Sequence, residues 1–288
     1  MIKPLAPLFA LALALGLAAC SHQDSATSAK AGVAKAADSH IVLGATGADA
    51  DIWRFIATTP AAKAAGLTIE VKDITDGITL NTATAEQQLD VNAFQSWAYL
   101  KTFNKNHGDS LRALATTYLE PMGLYSNQHQ SLATLPEGAL ISIPNDAANT
   151  ARALLLLAQA GLITLSPQFD PVMGTPQDIV DNPKHLTFKL VQGASGPRIL
   201  RDVDLAAISN TFALEGGLNV VKDALIHEQA NGSNHNNVNL LVTSKSRIDD
   251  VNLNQLGKLY HQPSVQAYIK EHFGGTKLAV TQPVSSLN

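Results

Sequence analysis

The pattern of apolar and polar positions changes character several times along the chain. A short positive start, Met1-Ile2-Lys3, leads into an almost unbroken apolar run over residues 5–19, rich in Ala and Leu. That run is shorter than the ~20 residues a helix needs to cross a bilayer, and it reads as the hydrophobic region of a secretion signal. Residues 21–38 then hold Ser, Ala, Asp, Lys and Gln with almost no bulky apolar side chain. Such a stretch buries too little surface to offset its ordering entropy, so a flexible tether is expected there.

Patterned sequence begins at His40. Residues 40–44 read as a short buried strand that ends in a turn. Over 51–65, Ile52, Phe55 and Ile56 fall at helical spacing, with Pro60 as a break or kink. A strand is predicted over 67–71 and a short helix over 83–89. Further strands are predicted over 112–118, 124–125, 139–143, 186–191 and 238–243. Helices are predicted over 148–160, 176–181, 214–225 and 253–268. Strands alternating with helices point to α/β units with largely parallel sheets. The length, 288 residues, suits one large domain or two modest lobes.

Composition narrows the functions open to the chain. The net charge is −4 and Lys and Arg are scattered, which excludes the clustered cationic face that nucleic acid requires. Enzyme motifs do not assemble. Gly193-Ala194-Ser195-Gly196 lacks one residue of the nucleophile-elbow spacing. Gly44-Ala45-Thr46-Gly47 is followed by no Gly-Lys-Ser/Thr, so it is not a phosphate loop. The nine His form no H-x-x-x-H pair and have no Cys partner, which leaves zinc without a sequence signal. The reading is therefore non-enzymatic, with no cofactor and no metal. Asn231-Gly232-Ser233-Asn234-His235-Asn236-Asn237 is most simply a solvated loop.

There is a single cysteine, so no internal disulfide is possible. It stands in Leu17-Ala18-Ala19-Cys20, which resembles the lipobox of bacterial lipoproteins. The resemblance implies a signal peptide over 1–19, an acylated Cys20 and a tether over 20–38. The globular part would then lie outside the cytoplasm, on the periplasmic side, anchored to a membrane. Two or more acyl chains anchor stably, because each buried CH₂ contributes roughly 0.8 kcal/mol. Ser21 follows the Cys where Asp would retain a Gram-negative lipoprotein at the inner membrane, which leans toward the outer membrane without deciding it.

Several stretches, in order, carry a second resemblance. They are Leu89-Asp90-Val91-Asn92-Ala93-Phe94-Gln95 with Tyr99, Glu120-Pro121-Met122-Gly123-Leu124-Tyr125-Ser126, and Ile143-Pro144-Asn145-Asp146 with Asn149 and Arg152. Asp178-Ile179-Val180-Asp181-Asn182-Pro183 and Val238-Asn239-Leu240-Leu241-Val242 complete the set. Together they are similar to the NlpA/MetQ family, the methionine-binding lipoproteins of ABC importers. The resemblance implies a two-lobed periplasmic binding-protein fold, type II-like, with an open α/β sheet in each lobe. The expected division is 39–125 in lobe 1, 126–230 in lobe 2, and 231–288 returning to lobe 1 with a C-terminal tail. Ligand would sit in the cleft between lobes, at strand ends and helix starts. The implied partners are an ABC permease and its ATPase. The implied ligand is methionine, a related amino acid or a short peptide. The rival reading is an orphan surface or structural lipoprotein of the same fold.

The resemblance also nominates residues. Arg152 is the candidate for a ligand carboxylate, because a guanidinium can grip it with two parallel hydrogen bonds near a helix start. On this reading Arg152→Ala loses ligand and keeps its fold. Asn239, polar in an apolar strand, matches a family Asn that holds the head group. Phe94 and Tyr99 match aromatics that wall the side-chain pocket. Three positions depart from the family: Ser96 stands for His, Gly77 for Tyr, and Ser209 for Asn, with Asn210 beside it to take the role after a one-residue shift. Trp53 is a candidate to refill the space left by the missing walls.

Overall fold

In a computed structural model of the chain, residues 39–229 and 234–287 are described. Cys20, the signal and the tether lie outside them.

The chain opens with β1 (Ser39–Ala45), α1 (Gly47–Thr58) and α2 (Pro60–Ala64). Pro60 occupies the first turn of α2, where its missing N–H costs nothing, and the Thr59 hydroxyl accepts from Ala62 N at 3.2 Å. β2 (Leu67–Asp73) lies parallel to β1 from Ser39 opposite Leu67 to Ala45 opposite Asp73. Then come α3 (Gly77–Ala85), β3 (Val91–Ser96), α4 (Trp97–His107) and β4 (Leu111–Leu119). After the first crossing come β5 (Met122–Tyr125), β6 (Leu140–Pro144), α5 (Ala147–Gln159), β7 (Thr164–Leu165) and β8 (Ile179–Asp181). β9 (Thr187–Val191), α6 (Gly196–Ile199), β10 (Leu205–Ser209), α7 (Asn210–Glu215) and β11 (Ile226–His227) complete that half. The chain returns through β12 (Val238–Ser244), α8 (Val251–Tyr260), α9 (Pro263–His272) and β13 (Leu278–Ala279).

Two large sheets result, in the orders β13-β4-β12-β3-β1-β2 and β11-β5-β10-β6-β9, and β7 pairs with β8 in a small two-stranded sheet. Both are mixed. β1 runs parallel to β2 and β3, whereas β12 runs antiparallel to β3 and β4. In the second sheet β6 is parallel to β9 and β10, whereas β5 is antiparallel to β10 and β11. The expectation of largely parallel sheets is corrected here. Strands that leave one lobe and return from the other enter against the direction set by the β-α-β units. The first crossing falls at Glu120-Pro121, so β5 pairs in the second sheet and not, as the 39–125 division had it, in the first.

Each sheet is covered on both faces. One face of the first sheet packs Ile52, Trp53 and Ile56 of α1 with Leu256 and Tyr260 of α8, and the other packs Leu100 and Phe103 of α4. The second sheet buries Leu154 and Leu157 of α5 on one face and Ala213 of α7 on the other. Trp53 is 1% exposed and tilts against Tyr260 at 5.8 Å between ring centroids, so it is core and not cleft wall. The lobes also touch away from the cleft, where Lys105 Nζ of α4 meets Met173 Sδ at 3.2 Å.

Candidate ligand-binding cleft

The ends of β1, β3 and β12 in lobe 1 meet the ends of β6, β9 and β10 in lobe 2 across a cavity of about 480 Å³. That size is within the range of small-molecule sites. Of the residues nominated by sequence, Arg152, Asn239, Phe94, Tyr99, Ser96, Ser209 and Gly77 line it.

Local structure explains the placement. In β3, Asn92 and Gln95 turn inward and join Asn81 of α3 in a buried amide network: Asn81 Nδ2 donates to Gln95 Oε1 at 2.9 Å, and Asn92 Nδ2 donates to Asn81 Oδ1 at 3.0 Å and Thr84 Oγ1 at 2.8 Å. Asp90, one step before the strand, accepts from Val42 N at 2.6 Å and pairs with Arg247. These bonds fix the strand and present Phe94 and Ser96 at its end. Ser96 caps α4 by accepting from Tyr99 N at 3.2 Å, which sets Tyr99 against Phe94 edge to face, 5.5 Å between centroids.

Gly77 begins α3 behind its cap, Asp76, whose Oδ1 accepts from Thr79 N at 2.7 Å. A methyl group at position 77 would stand 2.5 Å from Tyr99 Oη and 2.7 Å from Phe94 Cε2. The space where the resemblance expects a Tyr side chain is therefore filled by the two rings leaning over the glycine. Burial pushes the Tyr99 phenol well up, and the Asp146 and Asp76 carboxylates push it further, so it stays a neutral donor.

On the lobe 2 side, Asp146 caps α5 by accepting from Asn149 N at 2.9 Å. Arg152 follows in the second turn and is 6% exposed. Its Nε donates to Glu228 Oε1 at 2.9 Å, and Nη2 donates to Glu120 O at 2.7 Å and to Glu228 Oε2 at 2.5 Å. Burial works against the charge, and Glu228 more than restores it, so the guanidinium is held above its usual range. No hydrogen bond among the described residues uses Nη1, and Arg152 lines the cleft. Arg152 is thus neither an exposed helix residue nor a bare hook. It is half of a buried ion pair whose Nη1 takes no part in the pairing, so its removal is expected to cost stability and not ligand alone.

Asn210 does not reach the cleft. It is fully buried, and its Nδ2 donates to Glu120 Oε2 and to Thr276 Oγ1, each at 3.0 Å. At the β10–α7 turn, Ser209, Thr211 and Phe212 face the cavity and Asn210 points behind it. Asn239 is 5% exposed, and among the described residues its Oδ1 accepts no hydrogen bond.

Sequence reasoning missed the cleft floor. Glu120 accepts from Thr211 N at 3.3 Å and from Lys277 Nζ at 2.8 Å. Lys277 also reaches Asp49 Oδ1 at 3.0 Å and Thr211 Oγ1 at 2.7 Å, and it lies 3.9 Å from the centre of the Tyr118 ring. The only local signal was an acidic residue beside Pro121 between apolar strands. Asp49 and Lys277 are 228 positions apart, and no spacing rule links them. Among the described residues, no group of three or more His, Cys, Asp or Glu could hold a metal.

Two α/β lobes, joined by two crossings and flanking a cleft with a buried guanidinium in its lining, make up the fold of periplasmic substrate-binding proteins. The family model described as NlpA lipoprotein matches residues 41–281, and the chain belongs to the NlpA lipoprotein family, a family of substrate-binding proteins and not of enzymes. It is 36% identical over 239 residues to Lipoprotein 28 of Escherichia coli (strain K12), covering 82% of this chain and 86% of that one. A substrate-binding protein of an ABC transporter from Coxiella burnetii superposes with a TM-score of 0.78 at 34% identity, covering 83% of this chain and 100% of that one. A nutrient-binding protein from Burkholderia cenocepacia, solved with methionine bound, superposes with a TM-score of 0.79 at 34% identity, covering 83% of this chain and 99% of that one.

Proposed function

We propose that this protein captures methionine or a closely related amino acid in the cleft and delivers it to the permease and ATPase of an ABC importer, held to the membrane through acylated Cys20. The observation that carries the reading is Arg152, buried in the lining of the cleft with its Nη1 used by no hydrogen bond among the described residues, in a cavity also lined by Asn239, whose Oδ1 is unengaged among those residues. A carboxylate on Arg152 and an ammonium near Asn239, Ser209 and Glu120 would satisfy both ends of an α-amino acid. Phe94, Tyr99, Ile78 and Phe212 supply the apolar wall for a side chain. Binding is reversible, with no bond made or broken. Methionine has about nine heavy atoms, and a ceiling of about 1.5 kcal/mol per atom puts nanomolar affinity within reach only if the ligand is nearly enclosed. Closure of two lobes by a hinge motion supplies that enclosure.

A thermal-shift panel of amino acids and dipeptides tests the reading. A ligand at 100 times its Kd stabilises the folded state by ~2.7 kcal/mol, a readily measured rise in Tm. Methionine or a near relative should give the largest rise. The second reading, an orphan lipoprotein of the same fold, is favoured by the small residues Ser96 and Ser209 in the lining, and it expects no compound in the panel to raise Tm.

A further inference from the structure

Beneath the cleft lies a cluster of buried charges that do not balance. Asp49 in the first turn of α1 and Glu120 at the first crossing share the single ammonium of Lys277. All three are at most 4% exposed. The nearest other cation, Arg152, is already matched by Glu228. The remaining groups facing Asp49 add no positive charge. The Tyr118 hydroxyl of β4 donates to Asp49 Oδ1 at 2.7 Å and Oδ2 at 2.8 Å, and Tyr260 of α8 and Glu215 of α7 stand within electrostatic reach. Burying an unmatched charge is costly, so the group takes up a proton or finds a partner. Lys277 and its other donors hold Glu120 below the usual carboxylate range, despite burial. Burial pushes Asp49 up to about 6, with Lys277 opposing the rise and Glu120 adding to it. Below about pH 6 the missing positive charge of the empty protein is thus a proton on Asp49, and Glu120 is the member of the cluster that lines the cleft.

We propose that an amino-acid ligand binds with its ammonium turned to Glu120 and its carboxylate turned away to Arg152, so that the ammonium supplies the missing positive charge at the cleft floor and, in acid, its binding expels the proton that Asp49 holds in the empty protein. The inference rests on the amino-acid reading above. It makes capture weaken in acid: affinity falls by up to tenfold per pH unit below about pH 6 and levels off above about pH 7, as linkage to one proton requires.

The test is calorimetric titration of L-methionine into the detergent-purified protein at pH 5.5 and pH 7.5, each in two buffers of different ionisation enthalpy. The expected result is release of more than half a proton at pH 5.5 and almost none at pH 7.5. In Asp49→Asn the heat of methionine binding at pH 5.5 should no longer differ between the two buffers. Should that variant fail to fold, the ¹³C carboxyl shift of Asp49 in the unaltered protein, with and without methionine at pH 5.5, reports the same proton. Binding with equal heats in both buffers at pH 5.5, release that persists in Asp49→Asn, or an Asp49 carboxyl shift unmoved by methionine overturns the inference and leaves the amino-acid reading standing. No binding at either pH overturns both.

Discussion

Arg152→Ala is expected to cost both ligand and stability, and the structure sets the size of each loss. The side chains of Arg152 and Glu228 are 7% and 10% exposed. Removing one partner of such a pair leaves the other charge buried without compensation, at a cost of about 3–5 kcal/mol. At about 2–4 °C per kcal/mol for a domain of this size, Tm should fall by ~6–20 °C. The double replacement Arg152→Met with Glu228→Gln separates fold from function. It removes both charges, keeps the side-chain volume, and leaves an amide oxygen to accept from Met122 N, which Glu228 Oε2 now does at 2.8 Å. Its Tm should return to within a few degrees of the parent, since neutral replacements of a buried pair are often isoenergetic. Methionine binding should stay absent in both variants. Thermal unfolding by circular dichroism, followed by titration, measures both effects. If Arg152→Ala melts within ~2 °C of the parent, the ion pair carries no structural role and the reasoning fails. If the double variant binds methionine normally, the carboxylate assignment fails.

Three further outcomes follow from particular contacts. Gly77→Ala places a methyl group 2.5 Å from Tyr99 Oη and 2.7 Å from Phe94 Cε2, so the rings must shift; affinity should fall about two- to tenfold, on the scale of a lost aromatic wall contact, and unchanged affinity in titration would mean the two rings do not shape the site. Gly47→Ala combines a φ of +46° with a methyl group 1.6 Å from Glu215 Oε1; urea unfolding should show a loss of ~1–3 kcal/mol, partly recovered when Glu215→Ala is added, and no recovery would contradict the contact. Because the folded state raises Asp49 from 3.8 to about 6, that group's contribution to stability is full below its unfolded value and is lost as pH rises through about 6. Urea unfolding from pH 4 to 7 should therefore show the parent losing stability relative to Asp49→Asn, and a pH-independent difference would refute the assignment.

Much of the fold was written in local patterns. All seven strands predicted from apolar runs are present, and Pro60 does separate two helices. The helix expected over 83–89 forms instead at Gly77–Ala85, because the Asp76 cap and not the apolar spacing sets its start. The helices expected over 176–181 and 214–225 are a short 3₁₀ turn running into β8 and the short α7. Gly216-Gly217 ends α7 early, and the one helix expected over 253–268 breaks in two at Pro263, whose preceding residue is extended. At the site, the family motifs carried Arg152, Phe94, Tyr99 and Asn239 to the cleft because each sits at a strand end or helix start. Asn210 failed because one residue at a turn reverses the direction of a side chain. The charged floor escaped because Asp49, Glu120 and Lys277 meet only through the packing of distant segments.

The central claim is that the cleft takes an amino acid, gripped by Arg152 and facing Asn239. Calorimetric titration of L-methionine into protein that has been unfolded, stripped of bound ligand and refolded tests it most directly. The account expects one site per chain with submicromolar affinity. Absence of heat with methionine, and then with every other amino acid and with dipeptides, would contradict it.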